Sequence, residues 1–190
     1  MSQQIFLIRH GETEWSRSGQ HTGGTDISLT AHGRTQAELL GRALLGKTFS
    51  AWTSPLSRAQ ETCRLSGVEH AQVDDRLTEW NYGIFESRTT LDIRKEIPNW
   101  SVWGSPITGG ETLEQVAARA RLVLEHVTAA TNGDIALFAH GHILRILAAC
   151  WIGLPPIAAR HLALDTATIS MLGYERETRV IKHWNLAPPA

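Results

Sequence analysis

Four short segments carry side chains suited to handling a phosphate ester. They are Arg9-His10-Gly11-Glu12, Arg58, Glu79 and His140-Gly141-His142. A neutral imidazole attacks phosphorus readily and forms a labile phosphoramidate, so His10 is the candidate nucleophile. Gly11 would let the backbone come close to a phosphate. The planar fork of Arg9 can hold two phosphate oxygens. Arg58 falls near the start of a helix, where unpaired N–H groups and a partial positive charge favour an anion. Glu79 is the candidate acid, because a nearby phosphoryl dianion favours its protonated form. It would protonate the leaving oxygen and then take a proton from water. His140 can donate to phosphoryl oxygens, completing a preorganised electrostatic cradle. Each residue has a plainer reading. Arg9-His10 alone would be a surface pair, Arg58 a solvated helix arginine, and His140 a satisfied core histidine. Glu79 could simply pair with Arg76 or Arg88. His142 reads as structural or supporting.

Position decides against the plainer readings. Ile5 to Ile8 is a continuous apolar run, the pattern of a strand buried on both faces. Phe49 to Thr53, Ala71 to Val73 and Ile135 to Ala139 are further strands. Helical patterns cover Leu29 to Leu45, with Thr30 as cap, and His142 to Trp151. Ser54-Pro55 reads as an N-cap followed by proline at the first helical position. That helix passes Cys63 and ends near Gly67. Thr112 to Gln115 forms a capping box that opens a long helix reaching Thr131, stopped by Asn132-Gly133. Thr166 to Tyr174 and Arg179 to Trp184 read as two late strands, close enough for a hairpin. Alternating strands and helices predict an α/β fold, a three-layer α/β/α sandwich on a mainly parallel sheet. The reactive residues all follow strands, and ligands in such sheets bind at the strands' carboxyl ends. Residues 1–190 read as a single domain. The stretch at about 78–110 reads as a partial lid holding Trp80, Arg88, Trp100 and Trp103, its candidate selectivity residues.

Bulk properties narrow the partners. A formal charge of −1 over 190 residues offers no general attraction to nucleic acid or to an anionic membrane. Any positive field must be local. Cys63 and Cys150 have neither metal nor disulfide spacing, which fits a reducing compartment. No signal peptide is read at Met1 to Gln4, and Ile143 to Leu154 is too short and too charged to span a bilayer. A cytoplasmic location is expected. Zinc could be imagined on His10, Glu79, His140 and His142, but two arginines aimed at the same spot would repel a divalent cation. No metal is expected. No glycine-rich loop has nucleotide-binding spacing, so no cofactor is expected either. The sequence sets no oligomeric state; a homodimer through the late strands or helices stays open.

Leu7-Ile8-Arg9-His10-Gly11-Glu12-Thr13 resembles the signature of the histidine phosphatase superfamily, the phosphoglycerate mutase-like family. The resemblance continues through Gly23 to Thr30, Thr53 to Thr62, Glu79 to Gly83, Gly110 to Thr112 and Ala139 to His142, in the family's order. It implies a metal-independent phosphohistidine mechanism. His10 would be the nucleophile, Glu79 the proton donor, and Arg9, Arg58 and His140 the phosphate pocket. Ser16 to Thr25 and Asn99 to Trp103 are similar to phosphatases acting on sugar phosphates and phosphoglycerate-like esters. On that likeness Ser16, Gln20, Thr22, Gly23 and Gly141 join the substrate- and phosphate-binding set.

Three functions compete. The first is hydrolysis of a small phosphorylated metabolite. The second is a phosphoglycerate mutase. Mutases of the family usually carry asparagine where Ser16 stands, and an insertion and tail that shelter the phosphoenzyme. Here Gly104 leads quickly to Gly110, and the chain ends in Pro188-Pro189-Ala190, which favours the phosphatase. The third is a silent phospho-ligand sensor. Silent members usually replace the nucleophile, the arginines or the acid, and all are present here.

Overall fold

The computed structural model describes residues 3–189. Met1, Ser2 and Ala190, which enter the readings of the two chain ends, lie outside the described residues. Six strands form one sheet: β1 (Ile5–Arg9), β2 (Phe49–Thr53), β3 (Ala71–Val73), β4 (Asp134–Ala139), β5 (Ile169–Glu175) and β6 (Thr178–Leu186). Their order across the sheet is β3-β2-β4-β1-β5-β6. The first four run parallel. Only β5 is reversed, antiparallel to both β1 and β6.

Alternation along the central strands builds two cores. Ile5 and Leu7 of β1 and Ile135, Leu137 and Ala139 of β4 face one side. There they meet the apolar faces of α5 (Leu113–Ala130) and α6 (Gly141–Trp151). Phe6, Ile8, Ala136 and Phe138 face the other side, against α2 (Ala31–Leu44) and α3 (Ser57–Leu65). Both faces are therefore covered, as a mostly parallel sheet requires. The α/β/α architecture is the one expected. Thr30 caps α2 through the Gly33 N–H, and Thr112 and Gln115 close the capping box on α5. Among the described residues no helix is long and apolar enough to cross a membrane.

Two elements differ from expectation. Helix α3 begins at Ser57, with Leu56 at its N-cap, rather than at Ser54-Pro55. The Ser54 hydroxyl accepts from Leu56 N (3.3 Å) and is shared with His140 (2.8 Å). A short helix, α1 (Glu14–Ser18), stands where no element is expected; Thr13 and Ser16 cap it reciprocally and it buries no residue. The 78–110 stretch contains a 3-10 turn at Gly83–Phe85 and the helix α4 (Thr90–Glu96). Trp80, Tyr82, Phe85, Ile93, Trp100 and Val102 bury into the α5/α6 core. It is a packed part of the fold as well as a cover.

Candidate active site

Arg9 ends β1 and His10 follows it. Strand order places the carboxyl ends of β2, β4 and β1 side by side. Backbone bonds extend the ladder past the strands: His10 N donates to Ala139 O (3.0 Å) and Ser54 N to Phe138 O (2.9 Å). The loops after three neighbouring strands thus start from one rigid edge.

The His10 ring is buried. Its Nδ1 lies 2.7 Å from Gly11 O. A carbonyl only accepts, so Nδ1 carries the proton and Nε2 the lone pair. Burial, then the charges of Arg9 and Arg58, hold the imidazole well below its ordinary pKa and therefore neutral. Gly11 N donates to Thr62 Oγ1 (3.0 Å), and that hydroxyl donates to Arg58 O (2.7 Å). Gly11 is glycine for a reason other than phosphate approach. A Cβ there would sit 2.3 Å from Gly33 O, and one on Gly33 2.1 Å from Glu12 O. The nucleophile's loop lies flat against the start of α2.

Glu79 reaches across to the N-terminus of α6. Its Oε1 accepts from Trp80 N (3.0 Å) and Ile143 N (2.9 Å), and its Oε2 from His142 N (2.9 Å). Neither Arg76 nor Arg88 pairs with it; Arg76 holds Asp74 and Arg88 holds Glu96. Arg119 ties down the backbone around it, donating to the carbonyls of Arg76, Thr78 and Glu79. Arg9 donates from Nη1 to Leu164 O (2.5 Å). Its Nε–H is buried and has no hydrogen-bond partner among the described residues. A buried cationic donor without an acceptor fits a phosphate oxygen. A Cβ on Gly141 would lie 3.4 Å from Arg9 Cζ and 3.7 Å from Glu79 Oε2, so the three meet at one spot.

A cavity of about 190 Å³ opens there. Arg9, His10, Glu79, Gly141, Ser16, Gln20 and Thr22 line it, together with Gly19, His21, Tyr82, His142, Arg145 and Leu164. Arg58 and His140 are not on its wall, which differs from the expected direct clamp. Arg58 is fully buried and donates to Thr25 O (2.8 Å), Gly23 O (3.0 Å) and Thr22 O (3.2 Å). Its Nε–H donates to His140 Nδ1 (3.1 Å), so His140 must carry its proton on Nε2, facing Ser54 Oγ. The two rings of His10 and His140 stand 5.1 Å apart. Arg58 and His140 thus form a layer directly behind the cavity. The loop carbonyls, which sequence cannot place, draw the guanidinium away.

The outer set also sorts. Ser16 Oγ donates to Thr13 O (3.0 Å) and accepts from Thr13 N (2.8 Å), so its first task is capping α1. Gln20 donates to Ser87 O (2.6 Å) and Thr22 to Gln20 O (3.1 Å). Gly23 is off the cavity wall; a Cβ there would meet Trp80 O at 2.6 Å. Glu86 accepts from its N–H (2.8 Å) and from that of Thr25 (3.1 Å). Trp80 and Trp100 are core, Arg88 pairs away, and Trp103 lies behind Arg145. Residues missed from sequence are Tyr82, His21 and Arg145. Tyr82, whose hydroxyl burial keeps protonated, is hydrogen-bonded to His142 Nδ1 (2.7 Å). Among the described residues, no group of three or more His, Cys, Asp or Glu side chains is arranged to hold a metal ion.

The chain can be set beside known proteins. It is 40% identical over 184 residues to an acid phosphatase of Mycobacterium tuberculosis, covering 93% of this chain and 89% of that one. It is 34% identical to sedoheptulose 1,7-bisphosphatase of Saccharomyces cerevisiae, over 81% of this chain and 69% of the relative. It is 32% identical to a probable phosphoglycerate mutase of Yersinia enterocolitica, over 95% and 89%. A solved structure of a Mycobacterium tuberculosis open reading frame superposes with a TM-score of 0.90 at 38% identity, covering all of both chains. The model of the histidine phosphatase superfamily, branch 1, matches residues 5–187. An imidazole, a guanidinium and a carboxylate at one strand edge, in a chain matched almost end to end, give one conclusion: the protein belongs to the histidine phosphatase superfamily and is a phosphatase enzyme.

Proposed function

We propose that the protein hydrolyses small phosphorylated metabolites, sugar phosphates or phosphoglycerate-type esters, through a phosphohistidine on His10. The observation that carries this reading is the fixed tautomer of a neutral His10, whose Nε2 lone pair shares a cavity with Arg9 and Glu79. In the first step Nε2 attacks phosphorus and the P–O ester bond breaks. Glu79, acting as the general acid, gives its proton to the departing oxygen. In the second step Glu79 takes a proton from water, the water oxygen bonds to phosphorus, and the P–N bond breaks. Its electron pair returns to Nε2, and inorganic phosphate leaves. Arg9 Nε–H and the positive end of α6 offset charge on the transferred group. Arg58 and His140 hold the loops that define the cavity. The small cavity suits a metabolite rather than a peptide. Free Cys63 and Cys150 support a reducing, cytoplasmic setting.

Phosphate release is measured from p-nitrophenyl phosphate and a sugar-phosphate panel in chelator. Wild type should turn over, His10→Ala should not, and quenched wild type should retain acid-labile, base-stable phosphate. Release from none of the substrates would sink the reading. The relative named as a mutase supports a second one, phosphoryl transfer between 2- and 3-phosphoglycerate. Interconversion outpacing hydrolysis, with a bisphosphorylated primer, would establish that instead.

A further inference from the structure

Arg145 lines the active cavity but has no part in the phosphoryl chemistry. It lies four residues after Gly141 in α6, so the two share a helix face about one turn apart, about 6 Å along the axis. Gly141 marks the spot where Arg9 and Glu79 meet. The Arg145 side chain is held from three sides. Its Nε donates to Ala159 O (3.2 Å) and its Nη2 to Arg160 O (3.1 Å). Its Cζ stands 4.6 Å from the centre of the Trp103 ring. Nη1 has no partner among the described residues. The fork is therefore preorganised, with donor capacity left over.

The other lining groups sharpen its meaning. His21 and His142 are held neutral by burial. Ser16, Gln20 and Thr22 are polar and uncharged. Among the described residues, the charged groups of the wall are Arg9, Glu79 and Arg145. Arg9 and Glu79 serve the phosphoryl group, which leaves one cation about a helical turn away.

Resting on the phosphatase reading, we propose that Arg145 is a specificity residue for a second anionic group on the substrate. The preferred substrates are polyhydroxylated phosphate esters bearing a carboxylate or a second phosphate. Hydroxyls of such a molecule face Ser16, Gln20 and Thr22. An Arg145–anion hydrogen bond made in a partly desolvated site should favour the doubly anionic substrate by about ten- to hundredfold.

The test uses matched pairs. Glycerol 3-phosphate and 3-phosphoglycerate differ by a hydroxymethyl for a carboxylate; fructose 6-phosphate and fructose 1,6-bisphosphate differ by one phosphate. For wild type, kcat/KM should favour the second member of at least one pair by about tenfold or more, and the winning pair names the anion. Arg145→Met should collapse that ratio towards one, and Arg145→Lys should restore part of it. Equal loss on both members of each pair would make Arg145 a buttress for the 159–160 segment and overturn the proposal. So would a wild type that does not discriminate, which keeps the idea refutable even if the variants fail to fold. Calorimetric binding of the same pairs to His10→Ala separates the two levels. Tighter binding of the doubly anionic member, with no turnover of any ester by wild type, would sink the phosphatase reading while sustaining the Arg145 site. Equal binding, with turnover intact, would do the reverse.

Discussion

Acidification should destabilise this fold through histidines that are buried uncharged. His10 is 5% exposed and His140 is 0% exposed. Burial, reinforced by Arg9 and Arg58, holds both well below the ordinary histidine value. In the unfolded chain each titrates near about 6.5. Above that pH neither state binds the proton and stability is untouched. Below it the unfolded chain takes up protons that the fold refuses, so stability falls as pH falls. One unit below the unfolded value, the loss is about 1.4 kcal/mol per histidine, or about 3 kcal/mol for the pair. His142, also held neutral, adds in the same direction.

The assay is urea unfolding at about pH 7.5 and about pH 5.5 in buffers free of phosphate, which would itself stabilise the native state. With a slope of about 2 kcal/mol/M, the midpoint should drop by about 1 to 2 M. His140→Asn removes one titrating ring among several held neutral and should reduce the drop by about a quarter to a third. The acid limb of activity should follow this loss of structure, since the nucleophile itself stays unprotonated. A midpoint that does not move between the two pH values would refute the neutral-histidine account. So would a drop that survives intact in the His140 variant.

Three further outcomes are expected. Gly33→Ala would force a Cβ to 2.1 Å from Glu12 O; it should cost about 1–3 kcal/mol, visible as a lowered Tm, and reduce kcat by shifting the His10 loop. Arg119→Met should lower kcat by about ten- to hundredfold with little change in KM, because it frees the backbone that aims Glu79; steady-state kinetics on one good substrate would show it, and a purely KM effect would count against the assignment. Cys63 is buried and its thiol is pushed up to about 12, so thiol reagents should label it only as fast as the protein opens. Prompt labelling of native protein, located by peptide mapping, would contradict that.

The strands were legible because each central one is a short apolar run whose alternate residues serve different cores. Ile5 and Leu7 face α5 and α6, while Phe6 and Ile8 face α2 and α3. The capping residues Thr30 and Thr112 were legible for a similarly local reason. Where reading failed, a distant group had taken a local signal for another use. Ser54 has the residue type and the following proline of an N-cap and does accept from Leu56 N, yet the helix starts only at Ser57 and His140 shares the hydroxyl. Helix α1 buries nothing, so it has no apolar stripe to find. Arg145 interrupts an apolar run, which excludes a membrane helix but also marks a charge that the fold must place in a cavity. The divergence between Arg9, on the wall, and Arg58, behind it, depends on the carbonyls of Thr22, Gly23 and Thr25. No pattern within either segment encodes that.

That divergence explains how one site can combine strong anion attraction with a ready nucleophile. A second guanidinium on the wall would spend its donors on phosphate oxygens. Here one guanidinium has four N–H groups engaged by three carbonyls and His140, so it acts on His10 through its field. A positive field disfavours imidazolium, and the lone pair stays available. The same contacts tie the 22–25 loop to α3, while Glu86 holds that loop from its N–H side. Removing the Arg58 charge should therefore do two separable things: loosen the loop and let His10 protonate at higher pH. A lysine at 58 keeps the charge but not the fork. Arg58→Lys should keep the acid-side rate profile while losing the geometry, so kcat should fall at every pH by one common factor. Arg58→Met should in addition let His10 protonate before the fold is lost, so that its acid limb lies above the pH at which the structure gives way. If both variants moved that limb equally, the field of Arg58 would add nothing to the neutrality of His10, and burial with the charge of Arg9 would have to suffice.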